Sequence, residues 1–218
     1  MSRILGVLGG MGPAATVDFL AKLQAATPAV RDQDHVRVLM DMNPHIPDRN
    51  TSGAAGPMLG DMAARLRDAG AQVLAMPCNT AHAFAEHIKA GGLPFIDMIE
   101  TAGEASRTAG ATRPGVLGTP SAVALYRRRL TDMGLEPVVL GDEAQAAFMG
   151  LIYRIKAGDL AVRNEMTALA AALLDDGADA VIAGCTEVPL VLAPADMAAP
   201  FIDATEALAK RCVAVCRD

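Results

Sequence analysis

The feature that most constrains the fold is an internal duplication. Three segments of the first half recur in the same order in the second half, at offsets of 106 to 109 residues. The pairs are GVLG at 6–9 and 115–118, GAQVLAMPC at 70–78 and GADAVIAGC at 177–185, and PFIDMIE at 94–100 and PFIDATE at 200–206. One unit of about half the chain has been used twice, and two copies are too few for a solenoid. We expect two similar lobes, spanning 1–110 and 111–218, with the last helix able to pack back on the first lobe.

Each copy alternates short apolar runs with longer helical segments. The predicted strands are 3–8, 36–42, 72–76 and 94–97 in the first copy, and 114–118, 137–140, 179–183 and 200–203 in the second. The predicted helices are 14–26, 54–69, 80–90 and 98–109, then 121–133, 143–157, 162–176 and 204–216. Continuously apolar strands are typical of parallel sheets covered on both faces. The pattern predicts an α/β fold of two doubly wound parallel-sheet lobes related by a pseudo-twofold axis, with the active site in the cleft between them.

Composition excludes several classes of protein. Hydrophobic residues make up 52% of the chain and charged residues 20%, which predicts a well-packed globular protein. The net charge of −6 and the absence of a long basic run argue against a nucleic-acid partner. No apolar run is long enough for a membrane span, and the first residues are typical of a strand and turn rather than a signal peptide. Four cysteines in 218 residues do not suggest a disulfide framework, so we expect a cytoplasmic protein with reduced thiols.

Two of the four cysteines, Cys78 and Cys185, end equivalent apolar runs of the two copies. Ligands of such lobes bind beyond the carboxyl ends of the strands, and a helix start there favours a thiolate. A cysteine is more often a small buried apolar residue, which is how we interpret Cys212 and Cys216 in the last helix. The equivalent positions of Cys78 and Cys185 indicate instead two acid/base groups, one removing a proton and the other returning one on the opposite face of a carbon. Neither pair of cysteines has the spacing of a metal site.

Four linked motifs carry a family resemblance. They are LGGMGP at 8–13, NPHIPDR at 43–49, MPCNTAH at 76–82 and GCTEVP at 184–189. Together with DQDH at 32–35 and the Lys–Ala–Gly at 156–158, they resemble the aspartate/glutamate racemase superfamily on its aspartate racemase side, over nearly the whole chain. The resemblance implies an isomerase of amino-acid metabolism: a racemase independent of pyridoxal phosphate, with two cysteine acid/bases, no cofactor and usually a homodimeric assembly.

The resemblance also implies roles for individual residues. Cys78 and Cys185 match the catalytic cysteines, Arg49 matches the group that holds the substrate α-carboxylate, and Lys156 matches a lysine for the side-chain carboxylate. Other positions that match the substrate pocket are Met11, Asn79, Thr80, Thr119, Thr186 and Glu187. The second motif reads Cys-Thr-Glu where glutamate racemases typically read Cys-Thr-His, which favours aspartate. The loop GTPSAVALY at 118–126 is about two residues shorter than is usual in the family, which leaves the substrate open.

Ordinary structural roles stay open for several of these residues. Arg49 could form an ion pair in its loop, and Lys156 could be a solvated helix end. His82, one helical turn after Cys78, could tune that thiol or simply pack. Glu187 could act on Cys185 or bond to a backbone amide at a helix start. His45 could lie at the rim of the site.

Other functions compete with the racemase interpretation. GGMGPAA after the first strand, with Asp41 ending the second, resembles a dinucleotide-binding fingerprint but leaves the twin cysteines unexplained. A pyridoxal enzyme needs a Schiff-base lysine, and none of the four lysines has a Gly/Ser-rich phosphate cup nearby. A binding protein would not need two acid/base cysteines. Within the superfamily the alternatives are a glutamate or other amino-acid racemase and a maleate isomerase-like enzyme. We therefore expect a small amino acid, of the dicarboxylic type, as the partner, and no metal.

Overall fold

The computed structural model describes residues 2–50 and 53–217. These residues form two four-stranded sheets in which all neighbouring strands are parallel. The first sheet contains β1 (Leu5–Gly9), β2 (Val38–Met42), β3 (Val73–Ala75) and β4 (Phe95–Ile96). The second contains β5 (Pro114–Gly118), β6 (Val138–Val139), β7 (Ala180–Gly184) and β8 (Phe201–Asp203). The strand orders are β2-β1-β3-β4 and β6-β5-β7-β8, so the same topology is built twice, and the predicted α/β fold class with two similar lobes is confirmed.

The helices lie where the sequence pattern predicts them. They are α1 (Pro13–Ala26), α2 (Ala55–Asp68), α3 (Ala85–Lys89), α4 (Met98–Thr108), α5 (Pro120–Asp132), α6 (Asp142–Lys156), α7 (Arg163–Asp175) and α8 (Ala204–Arg217). The predicted helix 80–90 is a 3₁₀ helix, Thr80–Phe84, followed by the short α3. Between β7 and β8 the chain forms two 3₁₀ turns, Val188–Leu190 and Pro194–Asp196, in place of a helix. Pro189 lies within the first of these turns, where a proline cannot donate the hydrogen bonds of a longer helix.

The chain folds into two compact units, and two helices belong to a different unit from the one expected if the chain were divided at its middle. One unit is Met1–Met98 with Thr205–Asp218, and the other is Ile99–Ala204. Relative to the expected ranges 1–110 and 111–218, α4 belongs almost entirely to the second unit and α8 to the first. Within the first unit, the Arg3 amide donates to the Cys216 carbonyl at 2.8 Å, and the Arg217 guanidinium donates to the Asp34 carbonyl at 2.6 Å.

Each unit has its own apolar core beneath its sheet. In the first unit Leu8, Leu59, Leu74 and Met76 are fully buried in the cluster that also contains Cys78. In the second, the corresponding cluster contains Cys185 and includes Leu117, Phe148, Ile152, Met166 and Val181. All five residues of β1, of β5 and of β7 are buried. The carboxyl ends of these rigid strands therefore hold the residues that follow them in fixed positions. Cys212 and Cys216 on α8 are also buried, as predicted.

Candidate active site

Cys78 lies three residues beyond Ala75, the last paired residue of β3, at the carboxyl edge of the first sheet. It is buried, with 4% of its surface exposed, and its amide donates to the Met76 carbonyl at 2.8 Å. Asn79 and Thr80, which follow it at the start of the 3₁₀ helix, are buried as well. Polar side chains are seldom buried without a role in bonding or function. This segment therefore combines a thiol, an amide and a hydroxyl at a single point of the sheet edge.

His82 holds this segment in place through both of its ring nitrogens. Its Nδ1 lies 2.8 Å from the carbonyl oxygen of Cys78, and its Nε2 lies 3.0 Å from the amide nitrogen of Met98 at the start of α4. The amide must donate, so Nε2 is the acceptor and Nδ1 carries the proton that is donated to the carbonyl. Burial lowers the pKa of His82, although Asp97, 4.0 Å away, acts in the opposite sense. His82 is thus a neutral brace between the backbone of Cys78 and the backbone of Met98, and its hydrogen bonds go to backbone atoms rather than to the thiol.

Arg49 lies in the loop after β2, and carbonyl groups of that loop accept hydrogen bonds from only part of its guanidinium. Its Nη1 donates to the carbonyls of Ile46 and Pro47, at 3.4 and 3.2 Å. Its Nε is buried and makes no hydrogen bond to any residue that the structure describes. A buried donor without a partner is costly, and a guanidinium edge is suited to a carboxylate. The loop therefore orients Arg49 while leaving one donor for a ligand.

Met11 lies in the β1–α1 turn, whose conformation is fixed by contacts with Asn43 and Thr16. Gly10 has φ +97°, and a Cβ there would lie 2.4 Å from the backbone of Asn43. Thr16 closes the turn, because its hydroxyl accepts from the Gly10 amide at 2.9 Å and donates to the Gly12 carbonyl at 3.0 Å. Met11 itself is buried against the core that contains Cys78.

These contacts account for the residues of the apparent dinucleotide fingerprint. The glycine turn is filled by the loop after β2, and the Asp41 carboxylate binds Arg65, with distances of 3.0 Å to Nε and 2.7 Å to Nη2. An acidic residue that holds a ribose would need an available carboxylate edge. The glycines and Asp41 therefore have structural roles that do not involve a nucleotide.

Cys185 follows β7 directly, at the position equivalent to that of Cys78. It is buried, and its thiol donates to Oε2 of Glu187 at 3.0 Å. The Thr186 hydroxyl donates to the same oxygen at 3.3 Å. Burial of the thiol, then the charge of Glu187 and its hydrogen bond, raise the pKa of Cys185 well above its ordinary value, while the charge of Lys156 acts in the opposite sense. In this state Cys185 is therefore a protonated thiol bonded to a carboxylate.

Lys156, the last residue of α6, reaches the other oxygen of the same carboxylate. Its Nζ lies 3.4 Å from Oε1 of Glu187, with 33% of the lysine side chain and 5% of the glutamate side chain exposed. Glu187 is thus bonded to a thiol on one side and paired with an ammonium on the other. The sequence suggested a solvated helix end or a substrate clamp for Lys156, and gave no indication of this pair.

Thr119 directly follows β5 and caps α5. Its hydroxyl accepts from the Ala122 amide at 3.4 Å, in the usual arrangement of a helix N-cap. The Gln145 amide donates to the neighbouring Gly118 carbonyl at 3.0 Å, which fixes the end of the strand from α6. Gln145 carries no motif, so the sequence gave no signal of this contact.

The structure thus gathers the predicted residues at two sheet edges, one in each unit. Met11, Cys78, Asn79 and Thr80 lie at or beside the carboxyl edge of the first sheet, with Arg49 in the loop after β2; Thr119, Cys185, Thr186, Glu187 and Lys156 form or adjoin the second group. His45, expected at a rim, is exposed in the same loop as Arg49. Among the described residues, no group of three or more His, Cys, Asp or Glu side chains is arranged to hold a metal ion. No helix in the described ranges is both long and apolar enough to cross a bilayer.

Comparison with known proteins gives a consistent result. The family model for Asp/Glu/Hydantoin racemase matches residues 8–212. The broad specificity amino-acid racemase RacX of Bacillus subtilis (strain 168) is 31% identical over 225 aligned positions, which cover 96% of each chain. The solved structure of Picrophilus torridus aspartate racemase matches with a TM-score of 0.88 and 29% identity, over 99% of this chain and 94% of that one. A glutamate racemase from Francisella tularensis, solved with D-glutamate, matches with a TM-score of 0.70 and 17% identity over 98% and 81% of the two chains, which supports the fold alone.

Proposed function

The chain belongs to the Asp/Glu/Hydantoin racemase family and is an isomerase of the racemase type, and from this we propose its reaction. We propose that it racemises an amino acid without a cofactor, using Cys78 and Cys185 as its two acid/base groups. The observation that carries the proposal is the equivalence of the two thiols. Each follows the third strand of an identically ordered sheet, and each is buried beside polar side chains. Inverting a carbon requires proton removal on one face and proton delivery on the other, and a duplicated unit supplies two such groups.

The proposed reaction starts with one thiolate and one thiol. When Cys78 is the thiolate, it takes the α-proton, and the sulfur-bound proton of Cys185 is delivered to the opposite face of the carbanion. In the reverse direction Cys185 must be the thiolate. Its thiol proton then moves to Oε2 of Glu187, 3.0 Å away, before Cys185 takes the α-proton and Cys78 delivers one. In this direction Cys78 takes a proton from solvent before it delivers one, and Glu187 returns its proton to solvent after the turnover, so no net proton is gained or lost over the cycle.

Two cationic side chains, Arg49 and Lys156, are proposed to bind the substrate. Arg49 has a buried Nε that bonds to no residue in the described ranges, and it would bind the α-carboxylate. Lys156 would bind a carboxylate on the side chain, which favours a dicarboxylic amino acid, aspartate before glutamate. The name of the Picrophilus relative agrees with aspartate.

A broader substrate range is the second candidate. The relative that is 31% identical over nearly the full chain is a broad specificity amino-acid racemase. In the structure the charge of Lys156 is already paired with Glu187, at 3.4 Å, so a neutral side chain would not have to face an uncompensated ammonium. We further propose a homodimer, which light scattering coupled to size-exclusion chromatography would test.

The proposal is tested by chiral chromatography of purified native protein and of Cys78→Ser and Cys185→Ser variants, with a panel of D- and L-amino acids. We expect the native protein to racemise aspartate without added pyridoxal phosphate. Each variant should lose activity, because a hydroxyl is a far weaker acid than a thiol. Cys212→Ser is the matched control, because Cys212 is buried on α8 and has no proposed role. Racemisation at near-native rates by either of the first two variants would refute the two-thiol mechanism.

A further inference from the structure

We propose that Lys156 is shared between Glu187 and the substrate, so that a carboxylate on the substrate side chain releases Glu187 to accept the proton of Cys185. This inference rests on the function proposed above and assigns a second role to the lysine. Lys156 would therefore act as a positioning residue for the proton as well as a clamp for the substrate.

The argument begins with the geometry of the chain of contacts. The Cys185 thiol donates to one oxygen of Glu187 at 3.0 Å, and the Lys156 ammonium lies 3.4 Å from the other oxygen. Glu187 is 5% exposed, so the ammonium acts on it with little screening by water. The charged groups that act on the Cys185 thiol within its own unit are Glu187 and Lys156.

The electrostatic consequence follows from the sign of each charge. A neighbouring cation stabilises the ionised form of a carboxylate and so makes it a poorer proton acceptor. The charge of Lys156 also favours the Cys185 thiolate, but its ammonium contacts Glu187 directly, so the effect on the carboxylate is the larger and the proton stays on Cys185. A dicarboxylic substrate places a second anion against the ammonium and weakens its hold on Glu187. Glu187 then takes the thiol proton, and the Cys185 thiolate forms only when substrate is present.

Neutral substrates should behave differently. A substrate without a side-chain carboxylate leaves the Lys156–Glu187 pair intact, so turnover must occur against the resting position of the proton. A negative charge on the substrate side chain would thus favour the chemical step as well as binding. A lysine that only clamps the substrate would affect binding alone.

The test is a double-mutant cycle with two substrates of similar shape, aspartate and asparagine. We would measure kcat and KM for native protein, Lys156→Gln, Glu187→Gln and the double variant, with Lys210→Gln as control. Lys210 forms an exposed pair with Glu206 on α8 and has no proposed role. Lys156→Met serves as a second variant, and circular dichroism verifies that each protein is folded.

The expected result is a change of sign between substrates. Lys156→Gln should lower kcat/KM for aspartate but raise it for asparagine by roughly tenfold, since an opposite charge at this distance shifts a carboxyl equilibrium by about that factor or more. The gain should vanish in the Glu187→Gln background, where Lys156 no longer has a carboxylate to restrain. A fall or no change for asparagine in both Lys156 variants would overturn the inference. Absence of all racemisation by the native protein would instead refute the proposed function.

Discussion

The brace formed by His82 predicts a specific dependence of stability on pH. The ring is buried and neutral, with Nδ1 donating to the Cys78 carbonyl and Nε2 accepting from the Met98 amide. Burial lowers the pKa of His82 below its ordinary value of 6.5. Below pH 6.5 the unfolded chain therefore binds a proton at this position that the folded protein does not. The stabilisation by His82 is fully present above pH 6.5 and is lost as the pH falls toward the lowered pKa.

The perturbation is His82→Gln, which keeps an amide donor and a carbonyl acceptor but does not titrate. The free energy of unfolding of the native protein should fall relative to that of the variant below pH 6.5, by at most about 1.4 kcal/mol per pH unit for one proton. His82→Ala should cost about 3 kcal/mol or more at pH 7.5, because it leaves the Cys78 carbonyl and the Met98 amide without their partner.

The assay is urea denaturation followed by far-ultraviolet circular dichroism between pH 5 and 7.5, since the chain has no tryptophan. His45→Gln is the control, because His45 is exposed in a loop. It should follow the native pH dependence. If native protein and His82→Gln lose stability in parallel between pH 6.5 and 5, the neutral buried acceptor is the wrong description of His82.

Two further changes test the β1–α1 turn and the loop after β2. Gly10→Ala should destabilise the protein by about 3 kcal/mol or more, because its Cβ would lie 2.4 Å from the Asn43 backbone at a φ of +97°. Gly141→Ala, where nothing lies within 4 Å, should change stability by less than about 1 kcal/mol in the same urea titration. Arg49→Lys should keep the fold but lower kcat/KM for every amino acid about tenfold or more, because lysine lacks the planar fork; unchanged kinetics would remove Arg49 from the substrate site.

The fold could be predicted almost entirely from the sequence. The repeated GVLG, the two runs that end in Cys, and PFID mark strands in both copies. Continuously apolar runs of this kind are typical of strands in a parallel sheet that is covered on both faces. The assignment of helices to compact units could not be predicted in this way. Which unit α4 and α8 join depends on side-chain contacts between segments distant in sequence, and these carry no periodic signal.

The positions of the candidate site residues were predictable, but their partners were not. Cys185 and Glu187 are two residues apart, so their contact was foreseeable as one of two roles for the glutamate. Lys156 lies 31 positions earlier in the chain, and its pairing with Glu187 depends on where α6 ends relative to β7. From the sequence His82 could tune the thiol or simply pack, whereas in the structure its hydrogen bonds go to backbone atoms, which residue type alone does not specify.

The central claim, that two thiols act on opposite faces of one carbon, is tested most directly by racemisation in heavy water. One hand of aspartate would be incubated with native protein in D₂O, with α-hydrogen loss followed by NMR and chirality by chromatography. We predict that the product carries deuterium at the α-carbon from the first turnovers, while remaining substrate keeps its own hydrogen, because the returning proton comes from the other thiol. Rapid deuterium uptake into unreacted substrate with slow inversion would contradict this account and leave a single working base.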